Sequence, residues 1–269
     1  MKKLATALVS AAAIMTMSTT AFAAENPAEV FDRVMEKNNT IQSAEIQSGV
    51  HSVILPKDVI PDGQMKVDMA MHAEMDMQDT TDLKYLAQVA SSILGQDSYS
   101  QVFYTDGYYY VDANGVKLKY PMPLEQIISS VQTGVNTSNM ESSYMKGISL
   151  NEVNGKRVLA YEANPKKLNK NVKEALGTVM NTLGTDVNLD MNIQEMKGAY
   201  VLDDNDYIIY MTNYIVYNME VLDQPMTCIT LMETEVQNPG EPVVVTLPST
   251  DGYEDLIGLY DGVIESEVE

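Results

Sequence analysis

The sequence predicts an α+β fold, a large curved antiparallel sheet with three to four helices packed on its concave face. Three observations predict it. Long stretches alternate apolar and polar residues with period two, the pattern of half-buried strands. Asn-Gly and Asp-Gly pairs recur between short apolar runs, and these residue types tolerate the positive φ of two-residue hairpin turns. A few segments instead space their apolar residues by three and four, which makes one apolar helix face. A flat sheet of about ten strands would curl, and the helices have its apolar side to cover.

The elements follow in order. Residues 1–23 read as an export leader, with Lys2 and Lys3, a small apolar run over 4–17, and Ala21-Phe22-Ala23 as the small-x-small cleavage pattern. The run is shorter than the roughly 20 residues that span a bilayer. No later stretch is apolar enough to span one, so the mature chain is expected to be one exported domain over 24–269 with an acidic, frayed C-terminal tail. Asn26-Pro27 opens a helix with Val30, Phe31, Val34 and Met35 on its apolar face. Residues 44–54 alternate as a strand. Residues 64–78 alternate more clearly, with Met65, Val67, Met69, Met71, Met75 and Met77 on one side and Lys66, Asp68, His72, Glu74 and Asp76 on the other.

Residues 81–94 place Leu83, Leu86, Ala87, Ala90, Ile93 and Leu94 at helical spacing before Gly95, which predicts a helix with a glycine cap. Three short strands then turn at Asp106-Gly107 and Asn114-Gly115. Leu124, Ile127, Ile128 and Val131 predict a short helix. Asn154-Gly155 predicts a second hairpin, and Asn164-Pro165 starts a helix carrying Leu168, Val172, Leu176, Val179 and Leu183. A meander follows: alternation over 187–193, an acidic turn at Asp203-Asp204-Asn205-Asp206, and long strands over 207–221 and 226–236. Asn238-Pro239-Gly240 then turns, and Pro248 is expected to end the sheet.

Composition narrows the function classes. The chain carries 38 acidic and 17 basic residues, a net charge of −21. That becomes −23 once the leader leaves, because it takes two lysines and no acid. Such a surface repels nucleic acid and anionic lipid. A single cysteine excludes an internal disulfide framework and a cysteine-cluster metal site. Cys228 sits in an alternating strand, as an inert core thiol does. Two histidines, no Ser-His-acid order, no glycine-rich phosphate loop and no His-Glu-x-x-His run leave acyl transfer, phosphoryl transfer and zinc hydrolysis without their usual parts. Carboxylate pairs alone can hydrolyse glycosides, but such sites commonly add aromatic sugar platforms and the chain has no Trp. No catalytic residue, no metal and no cofactor is therefore expected.

Several segments together resemble a known family. They are the leader followed by the helix at 26–38 and the strand entry at Ser43-Ala44, then Tyr104-Thr105-Asp106-Gly107-Tyr108-Tyr109-Tyr110-Val111. Gly155-Lys156-Arg157-Val158-Leu159-Ala160-Tyr161-Glu162 and the meander ending Asn238-Pro239-Gly240-Glu241-Pro242-Val243 complete the set. The layout is similar to the LolA-like superfamily, the exported half-barrels that include LolA, LolB and the LppX-type lipoproteins. Within it the chain looks like Gram-positive extracytoplasmic proteins of unknown role. Many of these carry a lipid-anchoring cysteine after the leader and this chain has none, so a secreted, untethered protein is expected.

The resemblance implies a non-enzymatic carrier of a lipid or other hydrophobic small molecule between sheet and helices. Met69, Met71, Met75, Met77, Met191, Met211, Met219 and Met232 would supply a soft, adaptable lining. The same period-two methionines equally describe a closed core. A copper(I) site at Met69, Met71 and His72 has suitable donors, but on a strand His72 points away from the two thioethers. The acidic turn at 203–206 lacks the spacing of a calcium loop and reads as solvated. Tyr99, Tyr104, Tyr108, Tyr109 and Tyr110 fit either an interface with an envelope protein partner or cross-strand pairing within the sheet.

Overall fold

A computed structural model describes residues 25–56, 64–79, 83–123, 140–170, 191–221 and 224–256. They form helix α1 (Pro27–Asn38) and strands β1 (Ser43–Pro56), β2 (Met65–Asp76), β3 (Lys84–Ile93), β4 (Gln96–Thr105), β5 (Tyr108–Ala113), β6 (Val116–Pro121), β7 (Met145–Val153), β8 (Lys156–Ala163), β9 (Asn192–Leu202), β10 (Ile208–Val221), β11 (Gln224–Gln237) and β12 (Glu254–Asp255). A 3-10 turn, Ser142–Tyr144, precedes β7, and residues 165–170 are helical. The strands make one sheet in the order β12-β6-β5-β4-β3-β2-β1-β11-β10-β9-β8-β7. The ladders β3–β4–β5–β6 and β7–β8–β9–β10–β11 are antiparallel, and β12 joins β6 in parallel.

The large antiparallel sheet stands, and among the described residues fewer helices accompany it than the three to four expected. Residues 84–93 are strand β3 rather than a helix. Its register with β4 runs from Tyr85↔Tyr104 to Ile93↔Gln96 around a two-residue turn in which Leu94 (φ 53°) and Gly95 (φ 77°) are both left-handed. Sheet pairing on both sides overrides the helical propensity of Leu, Ala and Gln. Leucine pays a steric cost at positive φ. Leu94→Asn is accordingly expected to raise stability by about 1 kcal/mol, measured as a higher urea midpoint with an unchanged slope; a lower midpoint would contradict this account of the turn. The helix expected at 124–131, most of the helix from 164 and the start of the strand at 187–193 lie outside the described residues.

The chain divides into two units. The first draws on Met1–Asn38, Gly49–Asp68 and Asn139–Glu235. Its helix starts as its sequence requires: Asn26 accepts the Ala28 N–H at 3.1 Å, and its amide meets Glu29 at 3.0 Å. The apolar stripe Val30, Phe31, Val34 and Met35 is buried against Leu150, Leu159, Tyr161, Tyr200 and Leu202. Beneath it lies a polar line. Tyr161 and Asn213 flank Gly198 across three strands. The Tyr161 hydroxyl donates to Asn213 Oδ1 and accepts from Tyr200 at 3.3 Å. Burial holds the Tyr161 phenol well above its ordinary pKa.

The acidic turn of this unit is not simply solvated. Asp206 receives Arg33 Nε at 2.8 Å and Arg157 Nη1 at 2.5 Å, and Arg33 also reaches Glu25 at 3.0 Å. Asn38 donates to the Asp206 carbonyl and accepts the Ile208 N–H, so the turn is clamped to the end of α1. Asp203 folds the turn by accepting the N–H groups of Asn205 and Tyr207. Burial alone would raise the Asp206 pKa, but the hydrogen bonds from Arg33 and Arg157 outweigh it and hold it below its ordinary 3.8. The stability this carboxylate brings is complete above the unfolded value and is lost as pH falls through the lower folded value. Asp206→Asn is expected to cost about 2 kcal/mol at pH 7 and to flatten the acid limb of a stability-versus-pH curve. An unaltered acid limb would sink the assignment.

The second unit draws on Asn39–Ser48, Met69–Ser138 and Val236–Glu269. It has apolar clusters on both faces of its strands. One holds Ala44, Met75, Met77, Leu83, Tyr104, Met122 and Val236. The other holds Leu86, Phe103, Tyr110 and Val245, with Tyr253 packed on it. Phe103 and Tyr110 stack at 4.6 Å, and Tyr253 stands edge-on to both at 5.6 and 5.1 Å. The chain leaves the sheet at Gln237 rather than at Pro248, and rejoins it only at β12. Residues after Gly240 run back over this face, tied at their start by Ser43, whose carbonyl takes the Gly240 N–H and whose hydroxyl takes the Val243 N–H. The expected frayed tail falls on residues 257–269, outside the described residues.

Candidate ligand-binding face

The hairpin turns set which side chains share a face. Asp106-Gly107 and Asn114-Gly115 are left-handed at both positions, as predicted, and so is Leu94-Gly95. With three two-residue turns the registers of β3 to β6 follow. Tyr85, Tyr104, Tyr109 and Tyr120 stand opposite one another, and the next row on the same face is Ala87, Val102, Val111 and Leu118. Met75 and Met77 pack with the tyrosine row and are only 2% and 4% exposed. Val102, Val111 and Leu118 are half-buried. This face of the second unit is thus apolar over four strands and incompletely covered among the described residues.

The tyrosines grouped by sequence do not stay together. Tyr104 and Tyr109 belong to this face, whereas Tyr108 and Tyr110 lie on the opposite one with Phe103. Tyr99 shares Phe103's side of β4 and is 44% exposed. Tyr85 and Tyr120, absent from the sequence grouping, complete the row. The Asp106-Gly107 and Asn114-Gly115 turns would have found Tyr120, because two-residue loops fix the partner of every residue that follows; Tyr85 is placed by the Leu94-Gly95 turn, which the sequence reading took for a helix end.

The eight predicted methionines divide between the units. Met69, Met71, Met75 and Met77 fall in the second, where Met71 is half-buried and Met69 is 39% exposed. Met191, Met211, Met219 and Met232 fall in the first. There Met211 packs on the helix-covered core, Met232 stands opposite Asn213, and Met219 stands opposite Met226. The sequence set omitted Met122, which is buried beside Met75 and Met77, and Met226. Cys228 is buried opposite Tyr217, and burial pushes its thiol up. His72 turns away from the thioethers, with Nε2 3.2 Å from Glu45 and 3.7 Å from Glu74, while His51 meets Asp68 at 2.7 Å. Among the described residues no group of three or more His, Cys, Asp or Glu is placed to hold a metal.

No helix among the described residues is long and apolar enough to cross a membrane. Among curated proteins no sequence matches the chain. Among solved structures it is similar to LprF from Mycobacterium bovis, at 10% identity over 83% of this chain and 97% of that one, with a TM-score of 0.35. It is also similar to a β-barrel-like protein of the domain of unknown function DUF1849 from Brucella abortus (10% identity, 74% and 100% covered, TM-score 0.25). A third is the ywiB protein from Bacillus subtilis (10% identity, 74% and 96% covered, TM-score 0.22). The sequence model of the family of unknown function DUF6612 matches residues 26–248, and the chain belongs to that family.

Proposed function

We propose that the chain is an exported, non-enzymatic binding protein that holds a lipid or other hydrophobic small molecule on the methionine-bearing faces of its sheet. Met69, Met71, Met75 and Met77 would line the site in the second unit, and Met191, Met211, Met219 and Met232 in the first. The observation that carries the reading is the four-strand apolar face of β3 to β6, whose Val102, Val111 and Leu118 are half-buried. Apolar surface that a sheet presents without closing over it is what a concave binding site needs. Thioethers at its edge adapt to irregular hydrocarbon. Export by the leader at 1–23 belongs to the same proposal and is checked by sequencing the N-terminus of the secreted protein, expected at Ala24.

A second reading, an envelope interaction module with a closed core, is favoured by one observation: Met75 and Met77 are almost completely buried. Mass spectrometry of organic extracts of the purified protein separates the two. The carrier reading expects a co-purifying hydrophobic compound approaching one per chain. An empty extract, together with no uptake of a fluorescent fatty acid, would leave the interaction module.

A further inference from the structure

We propose that Asn154-Gly155 is a site at which the folded chain modifies itself, its amide turning to aspartate and isoaspartate, while the fold holds Asn114-Gly115 back from the same change. The reaction needs only the chain and water. The Gly155 main-chain nitrogen gives its proton to solvent and attacks Asn154 Cγ. A carbon–nitrogen bond forms, the side-chain carbon–nitrogen bond breaks, and the departing nitrogen takes up a proton and leaves as ammonia. Water then opens the resulting cyclic imide at either carbonyl, which gives aspartate or isoaspartate. Glycine in the second position matters because no Cβ hinders the approach of its nitrogen.

The two Asn-Gly pairs of the chain are alike in every local respect. Each makes the two-residue turn of a hairpin, with Asn114 and Asn154 at φ 52° and 53° and Gly115 and Gly155 at 87° and 74°. All four residues are exposed. A Cβ on either glycine would meet nothing within 4 Å, so access does not separate them. Their neighbours do. Asn114 extends the edge of β5 beside β4: its N–H donates to the Tyr99 carbonyl at 2.9 Å, and its Oδ1 accepts the Tyr99 N–H at 2.8 Å. The Gly115 N–H donates to Asp112 Oδ1 at 2.9 Å. The amide is thus held on a neighbouring strand and the nucleophile is engaged. The Asp112 carboxylate also opposes the negative charge that the nitrogen must gain.

Asn154 follows β7, the last strand in the sheet order, which among the described residues pairs with β8 alone. No strand lies beside it to supply the counterpart of Tyr99. Glu152 holds the place that Asp112 holds before Asn114, yet it does not take the Gly155 N–H. Among the described residues no protein group holds the Asn154 amide or that N–H, and both face water. The position of β7 in the sheet therefore decides which turn reacts.

The change has a structural consequence. The turn closes on the pair Val153↔Lys156. Aspartate keeps the main chain and tolerates positive φ. Isoaspartate routes the main chain through the side-chain methylene, and the lengthened loop no longer matches the twist of its strands. The strain falls on β7, which carries Leu150 into the core of the first unit.

The test incubates the full chain at neutral pH, folded and in urea, and follows each asparagine by peptide mapping with mass spectrometry. Isoaspartate is counted by its methylation with isoaspartyl methyltransferase. In the folded chain Asn154 is expected to convert about thirtyfold faster than Asn114, because two hydrogen bonds must break at the latter. In urea the two rates are expected to converge. Asp112→Ala frees the Gly115 N–H and is expected to speed Asn114 about fivefold, with Asn154 unchanged. Aged folded chain is expected to unfold at a lower urea concentration than fresh chain, and Asn154→Gln is expected to remove that loss. A preference for Asn154 no larger in the folded chain than in urea would overturn the proposal, and so would a folded chain in which neither asparagine converts.

Discussion

Replacing Phe31 by alanine is expected to cost about 4 kcal/mol. The side chain is fully buried and sits where α1 meets the sheet. Its ring stands edge-on to Tyr161 at 5.7 Å and tilted on Tyr200 at 6.1 Å, so truncation removes both aromatic contacts and opens a cavity over the tyrosine pair. Neither neighbour can collapse into the space easily, because Tyr161 is held by Asn213 and Tyr200 by Tyr161. Urea unfolding followed by far-ultraviolet ellipticity measures the loss. Phe31→Leu, which refills most of the volume, is expected to recover more than half of it. A loss below about 1 kcal/mol for the alanine variant would mean that α1 does not seal this core.

The second large effect is expected at Gly198, where alanine should cost about 3 kcal/mol. A Cβ there would lie 2.5 Å from the Tyr161 hydroxyl oxygen and 2.6 Å from its Cζ, and closer still to Asn213 Oδ1. Tyr161 crosses the glycine to donate to Asn213, so the added methyl group must push the ring off its acceptor. Asn213 is itself buried and would be left without that donor. Glycine is otherwise a poor strand residue, and its place here follows from the close approach of a ring to the backbone. A double-mutant cycle tests this. With Tyr161→Ala already present, Gly198→Ala is expected to cost markedly less, since both contacts with the ring are gone and Asn213, freed from the phenol, can turn its amide aside. Equal costs in both backgrounds would show that Tyr161 is not the reason for the glycine.

Both predictions concern the first unit, and both depend on features that sequence reading reached only halfway. The apolar stripe of α1 was legible, because helical spacing and the Asn26-Pro27 start are local properties. That the stripe would meet Tyr161 and Tyr200 was not, since those residues are more than a hundred positions away. The candidate face divides in the same way. The methionines of 64–78 were readable as one side of a strand, yet their tyrosine neighbours were grouped by adjacency rather than by register.

Local chemistry by itself determined the turns, the alternation of the long strands, the start of the first helix and the acidic character of the chain. These are written in short windows: a pair of residues that accepts positive φ, a period of two, a capping side chain. Only the tertiary structure decided that residues 84–93 are a strand, that Leu94 occupies a left-handed turn position, that Asp206 clamps α1 and that Tyr161 crosses Gly198 to reach Asn213. Each of these is set by partners distant in sequence. Ladder hydrogen bonds to both neighbours outweigh the helical propensity of a ten-residue segment. Two arginines from separate elements outweigh the solvation of an aspartate. The hydrogen-bond needs of a tyrosine are decided by what the strands beside it present, which no window of sequence around that tyrosine contains.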